Sequence, residues 1–283
     1  MSSIHIRDLM GRVVFPKGYG KAMLTIAVEL ITSTIREKKF YLAMLYFVIF
    51  PLFIVAVGDL GSAVEHGPGI ALYEAHTGTR AFIITFYVSF FLGQIFLVIL
   101  NADAISGEIE QGTFALLKTK PVHDSEIILG KFTGMLVIVA ILDIPTLLIV
   151  YFTTLIRFGA KFPTTYIHTI DEIVFTIIIV ILIQSIILSM SLLFSTIFNK
   201  SLYSILASML ALFLASQFSG LLSSKANYLS FQWLIDAILP SFMYDLPKIE
   251  GIVNAIWIIL GVIFTSLIFL ISSIIILQQK ETE

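Results

Sequence analysis

A phosphate-binding P-loop needs a glycine, four residues, then Gly-Lys-Ser/Thr, so that backbone amides cradle phosphates and a hydroxyl holds magnesium. Neither Gly-Lys pair of this 283-residue chain meets that pattern. Gly20-Lys21 is followed by Ala22 and has Phe15 where the first glycine belongs, and Gly130-Lys131 is followed by Phe132. If ATP drives this protein, another chain binds it. The chain has no cysteine, which excludes disulfides, thiolate catalysis and cysteine-ligated zinc. Its histidines are scattered at His5, His66, His76, His123 and His168. Glu65-His66 and Glu74 with His76 share one loop but not a recurring metal-ligand spacing, so solvated side chains and no metal are expected there. No nucleophile–base pairing is legible, and the many serines in apolar runs are read as hydrogen-bonding to backbone or neighbouring helices. No catalytic residue is assigned, and the chain is not expected to be an enzyme by itself.

Asp143 is the sharpest single residue. It lies mid-way in an apolar run, within Ala140-Ile-Leu-Asp-Ile-Pro145. A carboxylate at bilayer mid-depth costs at least about 2.5–3.5 kcal/mol on insertion scales, and such residues face a bundle interior or a wet cavity. Asp143 is therefore either a candidate position on a transport path, including proton transfer, or a buried structural carboxyl bonded to a neighbouring helix. Pro145 removes a helix hydrogen bond beside it.

These residues sit in a sequence that is 58% hydrophobic and only 13% charged. Soluble domains are nearer 45–50% apolar and about 25% charged, so bilayer is the natural solvent for the excess. No basic patch interleaves with aromatics, which excludes a nucleic-acid partner. Arg7, Arg12 and Lys17 interrupt the N-terminal stretch, so it is not read as a signal peptide. About 20 apolar residues cross a hydrocarbon core of roughly 30 Å. Six segments qualify: Phe40–Val57, Ala81–Leu100, Phe132–Phe152, Ile173–Phe198, Leu202–Leu222 and Ile252–Leu277. The predicted fold is an all-α membrane protein, one transmembrane domain over residues 1–283 with no soluble domain. Asn199-Lys200-Ser201 leaves room only for a tight helical hairpin.

With a cytoplasmic N-terminus, twelve of the 17 basic residues fall inside. They are Arg7, Arg12, Lys17, Lys21, Arg36, Lys38, Lys39, Lys118, Lys120, Lys131, Lys200 and Lys280; Arg80, Arg157, Lys161, Lys225 and Lys248 fall outside. The positive-inside rule then places both termini in the cytoplasm. Before the first span, Thr25, Glu29, Thr32, Ser33 and Arg36 gather on one helical arc, with Leu24, Ala27, Val28, Leu30, Ile31 and Ile35 on the rest. An amphipathic helix over about residues 21–38 should lie in the interface or pack on the underside of the bundle. The outer segment at about 223–251 carries Tyr228, Phe231, Trp233, Phe242 and Tyr244, with a break at Pro240. Aromatics favour the membrane boundary, and short interfacial helices are expected there. In the fifth span, Ser204, Ser208, Ala211 and Ala215 share one face, a helix-packing surface within or between chains.

The connection between the second and third spans, at about 106–130, reads as a short helix over Phe114–Lys118 capped by Thr113 after Gly112. Pro121 stops it, and Asp124 or Ser125 can cap the helix that follows. Phe114, Leu116 and Leu117 make an apolar tip that either docks a partner or folds against the amphipathic helix. The run from Glu110 to Lys131 resembles the signature of type-2 ATP-binding cassette exporter permeases. The matching positions are Glu110, Gly112, Thr113, Leu116, Leu117, Pro121, Val122, Glu126, Leu129, Gly130 and Lys131. The layout agrees too: elbow helix, two spans, coupling helix, four spans, and a helical insert before the last. Asp143 and Pro145 belong to no general signature of that family.

The resemblance implies a permease subunit in a cell membrane, paired with a second permease that is a copy or a relative. ATP and magnesium would bind on partner ATPase subunits and no cofactor on this chain. The helix at Phe114–Lys118 would seat in the ATPase, with Glu110, Gly112, Thr113, Leu116, Leu117 and Pro121 around it. It also implies that the first and fifth spans meet near the dimer axis. Two other readings fit the residues: an ion-coupled secondary transporter using Asp143, and a non-transporting structural subunit. Inverted repeats with broken helices, expected of the former, are not evident.

Overall fold

The structure is a computed structural model that describes residues 19–57, 92–119, 122–154, 156, 170–221 and 248–280. Every regular element among them is helical: α1 (Tyr19–Arg36), α2 (Lys38–Val57), α3 (described over Leu92–Asn101), α4 (Ser106–Glu110), α5 (Thr113–Lys118), α6 (Asp124–Thr154), α7 (Ile170–Ile197), α8 (Ser201–Leu221) and α9 (Lys248–Gln279). Three stretches are long and apolar enough to cross a membrane, Asp124–Thr153, Val180–Ile197 and Ile259–Gln279, and Leu92–Asn101 and Ser201–Leu214 are shorter apolar helices. The expected outer insert lies outside the described residues, except that α9 already begins at Lys248. The loop with His66 and His76 also lies outside them.

Two helices organise the bundle. α6 packs on α1, α2, α7 and α9, while α7 also takes α8 and α9. At 1.5 Å per residue a 31-residue helix is about 45 Å long, more than a hydrocarbon core requires. Its first two turns, carrying Asp124, Glu126 and Lys131, thus extend into the polar connection below the apolar bundle. Among the described residues, one core cluster joins Phe40, Ala43 and Phe47 of α2, Leu97 and Leu100 of α3, Met135, Ile138, Val139 and Leu142 of α6, and Leu188 of α7. A second, smaller one joins Ala104 and Ile105 to Ile128, Leu192, Leu270 and Leu277.

α1 departs from a simple amphipathic layout. Its buried residues are Ile26, Ala27 and Thr34, while Leu24 and Val28, expected on the apolar face, stay more than half exposed. The cause is in α6. A Cβ on Gly130 would stand 2.8 Å from the Met23 carbonyl oxygen and 3.0 Å from Ile26, and one on Gly134 would stand 3.0 Å from the Ala27 carbonyl. Two glycines one turn apart thus let the backbones touch, and this contact selects which side of α1 turns inward. The chain redirects at Glu37 alone, whose amide donates to the Thr34 carbonyl at 3.0 Å while its own carbonyl accepts from Phe40 at 3.1 Å.

Candidate functional site: the connection between α3 and α6

α3 ends at a polar residue that is wholly enclosed. Asn101 Nδ2 donates to the Leu188 carbonyl at 2.7 Å and to Ser191 Oγ, both on α7. The chain then turns through residues 102–105 into α4, a single helical turn that the sequence reading does not contain. A helix start leaves its first amides without intrahelical partners. Ile105, at the N-cap, makes no side-chain cap. The acceptor comes from another helix: Ser195 Oγ of α7 takes the amides of Ile105 at 2.9 Å and Ser106 at 3.0 Å. Ser195→Ala leaves two buried donors unmatched and should cost about 1–3 kcal/mol. Ser189 donates only to the Ile186 carbonyl of its own helix, so Ser189→Ala should change little. Thermal unfolding in detergent compares the pair, and equal effects would contradict this assignment.

The carbonyls of the turn are held as firmly. Ala102 accepts from Ser106 Oγ at 3.0 Å and from Ser204 Oγ of α8. Ala104 accepts from Lys131 Nζ of α6. Lys131 is almost fully enclosed and also pairs with Glu108 Oε2 at 2.7 Å. Lys39 of α2 pairs with Asp103. Glu110 Oε2 accepts the Ser201 amide at 2.9 Å, capping the N-terminus of α8 with a carboxylate, where the helix dipole favours negative charge. Lys280 closes the set by donating to Asn199 Oδ1 at 2.7 Å in the α7–α8 hairpin.

α5 follows a left-handed Gly112 at φ +74°, which a side chain would disfavour. Here the reading of Thr113 as the cap is corrected. Gly112 occupies that position, and Thr113 Oγ1 instead donates back to the Glu108 carbonyl at 3.2 Å. α6 then starts with Glu126 Oε2 accepting the His123 amide at 3.2 Å, half of a capping box. Phe114 is half-buried against the cluster of Ile105, Ile128 and Leu277. Leu117 is half-buried and turns toward α1. Glu110, Gln111, Gly112, Thr113, Ala115 and Thr119 are exposed. The side chain of Leu116, and Pro121, lie outside the described residues.

Between α1 and this connection lies a cavity of about 470 Å³ lined by Glu29, Glu37, Asp103, Glu108 and Lys131. Burial pushes the Glu37 carboxyl up from its ordinary range, Lys39 opposes this and Asp103 adds to it. Two of the four carboxyl groups at the cavity are paired, Asp103 with Lys39 and Glu108 with Lys131.

The remaining residues of interest lie elsewhere. Asp143 is buried inside the bundle, 6% exposed, and Pro145 is on the outer side of α6. Ser204 and Ser208 are fully buried within this chain, and Ala211 is half-buried. The side chain of Ala215 lies outside the described residues. Sequence reasoning missed Asn101, Ser195 and the pairing of Lys131, because each partner is distant in sequence.

The model of a family described as ABC-2 family transporter protein matches residues 13–238 of this chain. Over 93 residues the chain is 34% identical to the probable ABC transporter permease protein NosY of Stutzerimonas stutzeri. That alignment covers 33% of this chain and 32% of the relative, so the chain spans about a third of the length of the curated relative it matches.

Proposed function

Since the chain belongs to the ABC-2 transporter family, we propose that it is the six-span permease subunit of an ATP-driven exporter whose ATPase is a separate chain. One observation carries this reading: the α3–α6 connection presents Glu110, Gly112, Thr113 and Ala115 outward while side chains of α2, α6, α7 and α8 grip its other side. A surface built in this way passes an applied displacement to four helices at once. α5 serves as the coupling helix and α1 as the elbow helix, with Leu24 and Val28 toward lipid. ATP and magnesium act on the docked ATPase. The excess of lysine and arginine on this side supports cytoplasmic termini in the cell membrane.

A second permease, a copy or a relative, completes the assembly. Ser204 and Ser208 are engaged inside this chain and are not free to meet it. The reading of Phe114 as a docking tip narrows likewise, since its ring is part of the chain's own core, and the outward face of α5 carries the contact.

The test is purification of the tagged chain from its native membranes. An ATP-binding cassette ATPase should accompany it, and the complex should hydrolyse ATP. Ala115→Asp with Thr119→Asp, both at exposed positions, should release that subunit while the melting temperature of the chain stays near wild type. A complex that survives both substitutions would overturn the coupling assignment.

A further inference from the structure

The outer face of α2 joins a charged end to an apolar groove. The chain passes from α1 into α2 through Arg36-Glu37-Lys38-Lys39. Two of these four residues face the α3–α6 connection: Glu37 lines the cavity beside it, and Lys39 pairs with Asp103. Arg36, in the last turn of α1, and Lys38, the first residue of α2, are exposed. Lys38 heads a stripe. Leu42, Leu45, Ile49 and Phe53 follow it along one face of the helix, spaced by three or four residues. All four are more than half exposed.

The stripe has a wall on the side of α3. Tyr46 stacks on Phe96 of α3 with ring centroids 4.6 Å apart, and on Phe50 of its own helix at 4.9 Å. These three rings and the stripe bound a groove of about 300 Å³. Except for the Tyr46 hydroxyl, its lining side chains are hydrocarbon. From Leu42 to Phe53 the helix rises roughly 16 Å, and half of a hydrocarbon core of roughly 30 Å is about 15 Å. The groove thus has the depth of one leaflet and begins one turn from a basic residue. Helices in membranes pack closely through small residues. Between Lys38 and Phe53 this face has none, so its shape suits a flexible chain better than a second helix.

We propose that this groove holds an acyl chain of one anionic phospholipid, whose headgroup phosphate is bound by Lys38 and Arg36. The apolar lining and the depth fit the chain, and the exposed cations at its head fit the phosphate. Arginine offers a phosphate two parallel N–H donors, and lysine offers a compact point charge. A zwitterionic lipid brings its own ammonium group, so its phosphate gains less from both. An anionic lipid draws its compensating charge from the protein. A lipid held in this way ties the end of α1 to α2 and α3.

Such a site needs the chain to lie in a bilayer but needs neither the ATPase nor export, so it stands or falls apart from the coupling scheme. Native mass spectrometry of the full-length chain in mild detergent tests it. The chain is titrated with phosphatidylglycerol, and separately with phosphatidylcholine of the same acyl chains. One phosphatidylglycerol per chain should bind about tenfold or more tightly than phosphatidylcholine. A basic residue near an anionic lipid contributes roughly fivefold in affinity, so Arg36→Gln with Lys38→Gln should remove that preference. Ile49→Trp, which fills the groove, should weaken both lipids. All three positions are exposed, so the melting temperatures of these variants should stay near wild type. Equal binding of the two lipids by the wild-type chain overturns the proposal. So does a preference that survives the double glutamine variant, or unchanged binding in Ile49→Trp. The competing occupant is a second copy of this chain. Because the chain has no cysteine, Leu45→Cys reports on it. A disulfide-linked dimer formed by mild oxidation in native membranes would overturn the lipid assignment.

Discussion

Lys131→Met destabilises the chain by about 3–5 kcal/mol, the range expected when one partner of an enclosed ion pair is removed. Two interactions disappear together, the contact with Glu108 and the hydrogen bond to the Ala104 carbonyl. Methionine keeps most of the volume, so the loss is electrostatic and not a cavity. The effect stays at the lower end to the extent that Glu108, whose side chain is 37% exposed, recovers water. Burying an ion pair is costly in itself, so removing both charges should be milder than removing one. Lys131→Met with Glu108→Met therefore regains at least half of the loss. Denaturant or thermal unfolding in a mild detergent measures the cycle, and a double variant as unstable as the single would show that the pair is not the cause. The single variant should also loosen the α3–α6 connection and, under the proposed function, reduce retention of the ATPase.

Gly130→Leu separates α1 from α6. Even Gly130→Ala places a methyl 2.8 Å from a backbone oxygen that has no rotamer to escape with. Overpacking of this kind costs about 1–3 kcal/mol, against a helix-propensity gain of about 0.5–1 kcal/mol. The net effect of alanine is a loss, and leucine multiplies it. The same change at Gly261 meets nothing within 4 Å and should be neutral or slightly stabilising. Because the chain has no cysteine, Ala27→Cys supplies a unique probe at a position that is 5% exposed. It should react slowly with a thiol reagent while Gly130 is retained, and fast once Gly130→Leu is added. Equal rates would refute the close approach of the two helices.

These two effects bear on one function. α1 and the α3–α6 connection, the elbow and coupling elements of the proposed function, meet the same two turns of α6, at Gly130, Lys131 and Gly134. A push on α5 and a lateral movement of α1 converge there before they reach the apolar bundle.

What the residues disclose on their own follows from local rules. A run of apolar residues declares a helix for a bilayer because its solvent preference is additive along the chain. The ends of α2, α7 and α8 therefore fall within a few residues of the sequence reading. The stops around α5 are also local, although the left-handed cap belongs to Gly112 and not to Thr113. The absence of a nucleotide loop and the isolation of Asp143 are local in the same sense.

Tertiary structure alone decided what the polar residues do. Ser195 reads as one of many helix serines until the amides of Ile105 and Ser106 are brought to it from 90 and 89 residues away. α4 was illegible because its cap is on another helix. Which side of α1 turns inward depends on two glycines about 100 positions later, and periodicity along α1 carries no record of them. The row at Ser204 and Ser208 announced a close helix contact, but only the fold placed that contact on Ala102 of the same chain. Hydrophobicity is a property of each residue, whereas a hydrogen bond belongs to a pair; the first is written in the sequence, and the second exists only once the chain has folded.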